Sequence, residues 1–327
     1  MLVVVVDTAE GLERIAPAWD ALWQRDENAT PFQSPQWLLP WWKYFGSDTP
    51  HVVVAASNGA ANGAFDALAP LYILRDEDSG ESLGMFLGTG NSDYLDVLGD
   101  APLLIDAITK ADCQLWDLQQ LRPSSTLLNV ALPEGWSDNV EDQDPCPVLS
   151  IEDAGDELQN LLSTHARKKL RYFRRSLERE GEVRYESATP ESLDGLLDAL
   201  FELHAARWQQ RGLPGVLADD ATQSFHRDAA RRLLDAGALR MYAIRVNERI
   251  VAVFYGFAHH GTVYYYLSGY EPALEKLSIG NIIVAHAVES AVRDGATAFD
   301  FLRGAEEYKY SWGAKDRMNR RRQLFRG

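Results

Sequence analysis

The residues best suited to chemistry lie near the end of the chain, directly after a short apolar segment. They are Asp300, Arg303, Gly304, Glu306, Tyr308 and Lys309. Group transfer at a carbonyl carbon requires that the nucleophile lose its proton, that the tetrahedral oxyanion be stabilised and that the leaving group be protonated or stabilised. Glu306 or Asp300 can accept the proton, and Tyr308 can donate to the leaving group. Lys309 can stabilise the oxyanion or orient the acceptor.

The same positions also have structural interpretations. Asp300 ends the apolar segment, so it is suited to orient the loop that follows, and Tyr308 is suited to simple packing. We expect Arg303 and Gly304 to contact the substrate. Because a lysine tip is usually solvated, loss of the Lys309 charge is expected to lower turnover and to leave stability nearly unchanged.

The elements before this segment predict a strand, a Gly-containing loop, a helix and a second strand. Residues 262–269 and 298–302 are predicted strands, and apolar residues at spacings of 0, 3, 4, 7 and 8 from Val284 predict a helix over 280–294. Main-chain N–H groups at a helix N-terminus can hold phosphate. Candidate pyrophosphate ligands are Ser278, Ile279, Gly280 and Asn281. A plain turn and helix cap is the alternative, since Asn and Gly favour both.

A basic stripe is predicted on a helix expected at 156–180. It consists of Arg167, Lys168, Arg171, Arg174 and Arg175, at spacings of 0, 1, 4, 7 and 8. Such a stripe is suited to the phosphates of a donor, a nucleotide-linked sugar, an acyl carrier or a tRNA end. Arg167 and Arg171 are our substrate-binding candidates. The alternative is a solvated helix face paired with Glu178, Glu180 and Glu182.

The next predicted helix, at 190–211, carries a histidine on its leucine stripe. His204 continues that stripe, with Arg207 and Trp208 one turn later. From the residues alone, a core histidine with satisfied hydrogen bonds is the simpler interpretation, and a catalytic base is the alternative.

Several segments together resemble a known family. They are Pro31-Phe32-Gln33-Ser34-Pro35 with Trp37, Trp41 and Trp42, then Arg167–Arg175, His204–Trp208, Phe299–Gly304 and Glu307–Lys309. Their order and spacing resemble the CelD/BcsL-like acetyltransferases. The segment 262–302 is similar to the acyl-CoA-binding core of the GNAT acyltransferases. The resemblance covers nearly the whole chain, with one departure at Ile279, where the family usually has Pro.

The resemblance implies an α/β (α+β) protein with two GNAT-like domains, each a mixed sheet flanked by helices, as in the FemAB aminoacyl transferases. We assign residues 1–150 to the first domain and 151–327 to the second, which is expected to hold the acyl donor. The resemblance also implies that the helix with His204, Arg207 and Trp208 lines the substrate cleft, so these three residues are our candidates for positioning the substrate.

The activity that the resemblance implies is transfer of an acyl group from acyl-CoA, such as acetyl-CoA, to an amine or hydroxyl. The expected acceptor is a small molecule, such as a sugar or an envelope or exopolysaccharide precursor. Two alternatives stay open. One is a FemAB-like transferase that uses aminoacyl-tRNA, and the other is a catalytically silent GNAT-like binding module.

Composition argues against several other classes. A net charge of −16 over 327 residues opposes nonspecific DNA binding and counts against tRNA as well. The two cysteines, Cys113 and Cys146, indicate no disulfide framework and fit a reducing cytoplasm. The sequence has no Cys/His spacing typical of a metal site, and no apolar run approaches the 18 residues of a membrane span.

Apolar patterning predicts the remaining elements. Strands are expected at 2–6, 51–56, 66–74, 84–87, 94–98, 114–118, 183–186, 239–246 and 250–258, and helices at 11–25, 35–45, 101–111 and 219–236. The Gly-rich segment Gly88–Asp93 lacks the Gly-Lys-Ser/Thr of a P-loop and is interpreted as a turn. Residues 133–147 are predicted to be a surface loop at the domain boundary. The basic tail Met318–Gly327 is predicted to be a last strand.

Overall fold

The computed structural model describes residues 2–46, 51–57, 64–76, 78–152, 158, 161–210, 212–213 and 215–327. The chain divides into two compact units. The first comprises Met1–Pro145 and Arg317–Gly327, and the second comprises Cys146–Asp316. Among the described residues, no helix combines the length and the apolar character needed to cross a bilayer.

Thirteen strands are found in the described part of the chain. In chain order they are β1 (Leu2–Val6), β2 (His51–Ser57), β3 (Ala67–Arg75), β4 (Ser82–Phe86), β5 (Leu98–Gly99), β6 (Leu115–Leu121), β7 (Trp136–Ser150), β8 (Val183–Ser187), β9 (Leu239–Val246), β10 (Arg249–His259), β11 (Thr262–Tyr270), β12 (Ala298–Asp300) and β13 (Lys315–Arg326).

Eight α-helices accompany these strands among the described residues. They are α1 (Ala9–Arg25), α2 (Pro35–Trp41), α3 (Ile105–Lys110), α4 (Thr164–Leu177), α5 (Leu193–Gln209), α6 (Asp220–Asp235), α7 (Ile279–Arg293) and α8 (Glu307–Ser311). α2 continues into a π-type turn at Trp42–Gly46, and α7 is preceded by a 3₁₀ turn at Pro272–Leu277.

The first unit is built on a mixed sheet. β1, β2, β3 and β4 pair in order and antiparallel, and β6 pairs parallel with β4 after a crossover that contains α3. β13 then adds to β6 in antiparallel pairing. A core of buried apolar residues includes Phe86, Trp116 and Leu324.

The second unit has the same strand plan. β8, β9, β10 and β11 pair in order and antiparallel, and β12 pairs parallel with β11 after the crossover helix α7. Residues Val148–Ser150 of β7 pair with β12. Phe254 of β10 lies in one core with α7, whereas the adjacent Tyr255 contacts His226 of α6. Because neighbouring strand residues face opposite sides of a sheet, α6 and α7 cover opposite faces.

This architecture confirms the predicted fold class of two GNAT-like mixed sheets flanked by helices. The repeated plan of four antiparallel strands, a crossover and a parallel fifth strand is not visible as a sequence repeat. It is carried by strand pairing, which many different apolar residues satisfy equally well.

Most predicted elements are found within a few residues of their expected positions, and three predictions are wrong. The expected loop at 133–147 is strand β7, whose residues through Gln143 are mostly exposed and therefore lack apolar alternation. The strand expected at 94–98 is reduced to Leu98–Gly99. The tail Arg317–Gly327 is a strand as expected, but it packs in the first unit and not in a domain 151–327. The start expected for the 156–180 helix lies largely outside the described residues.

Candidate active site

The parallel pair β11 and β12 positions the candidate site at one edge of the second sheet. Tyr264 of β11 is paired with Asp300 at the end of β12. Parallel strands have their carboxyl ends at the same edge, and that edge is where open α/β sheets bind ligands. The segment between β11 and α7 and the turn after β12 therefore lie at the same edge.

The candidate donor segment opens α7 with an uncapped N-terminus. Ser278 adopts a left-handed conformation (φ +52°), and its side chain makes no capping hydrogen bond. The N–H groups of Asn281 and Ile282 bond to the Ser278 carbonyl. In the described part of the chain, the N–H groups of Ile279 and Gly280 make no hydrogen bond. Two main-chain donors are thus available where the helix dipole favours an anion.

Gly280 is also closely packed. A Cβ at this position would lie 3.1 Å from the Tyr270 ring. The Ile279 side chain is fully buried, whereas Asn281 is exposed. Of the four residues predicted to bind the acyl donor, Ile279 can therefore offer only its main chain.

Lys309 is placed differently from the expectation. Its side chain is 3 % exposed, so the expected solvated tip is wrong. The ammonium donates to the carbonyl oxygens of Leu302, Arg303 and Gly304 at 3.1, 2.6 and 3.1 Å, and lies 2.9 Å from Glu306 Oε2. An ammonium has three protons, and the turn already uses all three. A direct catalytic role for Lys309 remains a prediction, and this geometry counts against it.

Asp300 and Glu306 have different environments. Asp300 is fully buried, and its Oδ1 accepts a hydrogen bond from the Leu302 N–H at 2.8 Å. Asp300 thus orients the turn after β12, which was the structural alternative. The side chain of Glu306 is 57 % exposed. Glu306 is therefore the carboxylate of this pair that a substrate amine can reach.

Tyr308 belongs to a cluster of hydroxyl groups. It hydrogen-bonds to Tyr265, and the Tyr265 hydroxyl lies 2.5 Å from Ser268 Oγ. Burial raises the pKa of the Tyr308 phenol well above its usual range, and neighbouring Tyr265 and Glu306 raise it further. Burial likewise raises the pKa of Tyr265. Tyr308 is therefore held in its neutral form, in which its hydroxyl can donate a hydrogen bond.

Tyr265 and Ser268 are site residues that sequence reasoning missed. Residues three apart on a regular strand face opposite sides. Here Gly256 pairs with Tyr265 and Tyr255 pairs with Leu267, so Tyr266 is an extra residue, a bulge. The bulge returns Ser268 to the side of Tyr265. A bulge has no reliable signal in a single sequence, so the contact was not predictable.

His204, Arg207 and Trp208 are brought together on α5. The Trp208 indole donates to His204 Nε2 at 2.9 Å, so this nitrogen is an acceptor and His204 is neutral. Burial, with a smaller effect of Arg207, lowers the His204 pKa to about 4. His204 therefore corresponds to the satisfied core histidine. Its hydrogen bond fixes the half-buried Trp208 in place.

Arg207 lies close to three tyrosines, Tyr265, Tyr270 and Tyr308. Its guanidinium carbon lies 4.9 Å from the centre of the Tyr270 ring, and its charge affects the pKa of both Tyr265 and Tyr308. Arg207 Nε is buried and makes no hydrogen bond among the described residues. Since Tyr270 also packs on Gly280, Arg207 lies one side chain away from the donor segment.

The basic stripe of α4 divides into one structural residue and an exposed remainder. Arg174 forms a bidentate pair with Glu289 of α7 at 2.8 and 2.9 Å, so its partner is not one of the expected glutamates. Lys168, Arg171 and Arg175 are exposed and form no ion pair with any described carboxylate. Arg167 is half-buried, and its Nε makes no hydrogen bond within the described segments.

Comparisons with known proteins agree with this fold. Residues 164–310, which lie in the second unit, match the family model described as Acetyltransferase (GNAT) domain. A search of the curated proteins finds no match.

Solved structures resemble the chain over almost its whole length. FemX has a TM-score of 0.68 at 13% identity, covering 98% of this chain and 97% of its own. A conserved protein of unknown function from Bacteroides thetaiotaomicron VPI-5482 has a TM-score of 0.63 at 15% identity, and the match covers 99% of this chain and 100% of that one. L-PGS from Bacillus licheniformis has a TM-score of 0.58 at 14% identity, and the match covers 95% of this chain and 91% of that one. At these identities the likeness concerns the fold.

Proposed function

We propose that the second unit transfers an acyl group from acyl-CoA to an amine or hydroxyl. The observation that carries this proposal is the shared edge of β11 and β12. Two unpaired N–H groups at the start of α7 lie at the same edge as a turn with a reachable carboxylate and a protonated phenol. The match of residues 164–310 to a GNAT domain supports the same reaction class.

The donor is held through its phosphates. The N–H groups of Ile279 and Gly280 donate hydrogen bonds to the pyrophosphate oxygens at the positive end of the α7 dipole. Arg167 and Arg171 on α4 supply positive charge that no described carboxylate neutralises. Ser278 and Asn281 flank these donors.

The reaction uses Glu306 and Tyr308. Glu306 accepts a proton from the acceptor amine, whose nitrogen forms a bond to the thioester carbonyl carbon. Collapse of the tetrahedral adduct breaks the C–S bond. The Tyr308 hydroxyl donates a hydrogen bond that stabilises the departing thiolate. The thiolate takes its proton from solvent, and Glu306 returns its proton to solvent. Asp300 acts by orienting the turn between them.

The proposed acceptor is a small molecule, such as a sugar or an envelope or exopolysaccharide precursor, in the cytoplasm. This assignment rests on the resemblance to the CelD/BcsL-like family. Arg207 and Trp208, with Arg303 and Gly304 on the turn, are the residues proposed to position it.

Two other functions remain as alternatives. The likeness to FemX favours an aminoacyl-tRNA-dependent transferase, whereas the net charge of −16 opposes binding of a polyanion. A catalytically silent GNAT-like module is the other. An intact Lys309 argues against such a module only if the lysine is catalytic, and its burial in the turn explains its presence without catalysis.

Calorimetric titration with acetyl-CoA, longer acyl-CoAs and aminoacyl-tRNA tests the proposal. We expect acyl-CoA to bind and Gly280→Asp to abolish binding, because its carboxylate repels phosphate. Gly280→Ala is the matched control, since it adds the same Cβ against Tyr270 without the charge. Binding of aminoacyl-tRNA alone would favour the first alternative, and equal acyl-CoA affinity in both folded variants would reject the pyrophosphate site.

A further inference from the structure

We infer that the turn after β12 presents the main-chain N–H groups of Gly304 and Ala305 as the oxyanion donors of the transfer, with Lys309 as the positioning residue behind them. This inference rests on the proposed acyl transfer and adds stabilisation of the oxyanion, which Glu306 and Tyr308 do not supply. It assigns to main-chain groups the role that the sequence suggested for the Lys309 ammonium.

The orientation of the N–H groups follows from the carbonyl oxygens that accept hydrogen bonds from the Lys309 ammonium. Three consecutive carbonyls, of Leu302, Arg303 and Gly304, converge on one nitrogen. None of the peptide bonds is cis among the described residues, and in a planar trans peptide the C=O and N–H point in opposite directions. The N–H groups of the same three peptides, on Arg303, Gly304 and Ala305, therefore point away from the ammonium.

The turn is fixed from its other end as well. Buried Asp300 accepts the Leu302 N–H, and Leu302 adopts a left-handed conformation (φ +57°). Gly304 follows with φ +109°, where a Cβ would come within 2.6 Å of a Glu306 carboxylate oxygen. Successive N–H groups turned to one side by such alternating conformations form an anion-binding concavity.

Two of these N–H groups are available. In the described chain, those of Gly304 and Ala305 make no hydrogen bond. Gly304 is half-buried and Ala305 is exposed. They lie at the sheet edge that α7 and Tyr308 share.

Donors of this kind suit the electronic demand of the step. When the acceptor nitrogen bonds to the carbonyl carbon, the C=O π pair moves onto oxygen. Fixed main-chain dipoles stabilise that charge without reorganisation. This electron pair re-forms the C=O double bond when the C–S bond breaks and the thiolate leaves. The ammonium cannot take this role while all three of its protons are bonded to the turn.

Selective labelling makes Gly304 observable in the intact chain. Carbonyl-¹³C arginine combined with ¹⁵N glycine gives signals from only three Arg–Gly pairs, 211–212, 303–304 and 326–327. Titration with acetyl-CoA is compared with titration by CoA, which lacks the carbonyl. We expect a downfield shift of the Gly304 amide proton with acetyl-CoA and not with CoA. Gly327, at the chain terminus, serves as the internal reference.

The role of Lys309 is tested with Lys309→Met, and with Lys315→Met as the exposed control. We expect the acetyl-CoA-specific shift to be lost in the first variant and kept in the second, while calorimetric affinity for CoA stays unchanged in both. Retention of the shift in folded Lys309→Met would reject the positioning role. If that variant does not fold, the parent titration still decides the role of the N–H groups.

Failure of the inference differs from failure of the proposed function. Binding of acetyl-CoA without a Gly304 shift overturns the oxyanion assignment and leaves acyl transfer standing. Absence of binding by both ligands contradicts the acyl-CoA function and removes the oxyanion role with it.

Discussion

At the scale of single residues, burial decides what a charged group does. The sequence singles out Lys309 as a candidate functional residue, but it does not reveal the environment of its ammonium group. A lysine after a tyrosine has the same composition whether its tip is solvated or enclosed by three carbonyls. Which of these holds depends on the path of residues 302–304, which is set by the left-handed Leu302 and by Asp300. Neither feature has a local sequence signal.

Lys309→Met should therefore destabilise the protein. The methionine keeps much of the apolar stem but leaves the carbonyls of the turn without donors, which costs about 1–3 kcal/mol where such groups are buried. Urea unfolding measures the loss, and Lys315→Met is the exposed control. An unchanged free energy of unfolding would mean that the lysine tip is solvated after all.

His204 makes stability depend on pH. Its pKa is lowered to about 4 in the fold, against about 6.5 for an unperturbed histidine. The unfolded chain binds more protons between these values, so the contribution is present above pH 6.5 and is lost as pH falls to about 4. We expect His204→Gln to reduce this loss by up to about 3 kcal/mol. Unfolding curves at pH 7 and pH 4.5 measure it, and equal losses in parent and variant would mean that His204 titrates normally.

At the scale of elements, periodicity predicted those that bury an apolar stripe. The meander β9–β10–β11 and helix α7 are found almost where apolar spacing put them. β7 was missed because its exposed residues Asp138, Glu141 and Asp142 carry the pattern of a loop and pair with arginines of β13, which is distant in sequence. The edge that holds the site depends on the pairing of β11 with β12, which local periodicity also does not specify, because the paired residues are 36 positions apart.

The pair Arg174–Glu289 fastens α4 to α7 and should contribute to stability. Its side chains are 28 % and 27 % exposed, and a hydrogen bond to a charged group contributes about 1.5–3 kcal/mol. Allowing for solvent screening, we expect Arg174→Met to cost on the order of 1 kcal/mol. Arg175→Met, the exposed neighbour, should cost less. A double-mutant cycle with Glu289→Gln measures the coupling, and a coupling near zero would reduce the pair to a surface contact.

At the scale of the whole molecule, the last strand in the chain, β13, belongs to the first unit. β13 contributes Arg322, whose guanidinium bonds to Asp138 and to the carbonyls of Leu127 and Val130, and whose side chain is 4 % exposed. Sequence reasoning found the strand but assigned it to the nearer domain. Proximity in the chain is a weak guide when a strand pairs with a segment 199 to 210 residues earlier.

Arg322→Met should lower the stability of the first unit selectively. The charged hydrogen bonds of Arg322 are enclosed, so their loss is expected to cost about 2–3 kcal/mol. Arg320→Met is the matched control, because the Arg320–Asp142 pair is 43 % and 60 % exposed and should contribute about 1 kcal/mol or less. Tryptophan fluorescence reports mainly on this unit, since seven of the nine tryptophans (19, 23, 37, 41, 42, 116 and 136) belong to it. An equal shift of the urea midpoint in both variants would mean that Arg322 contributes no more than a surface charge.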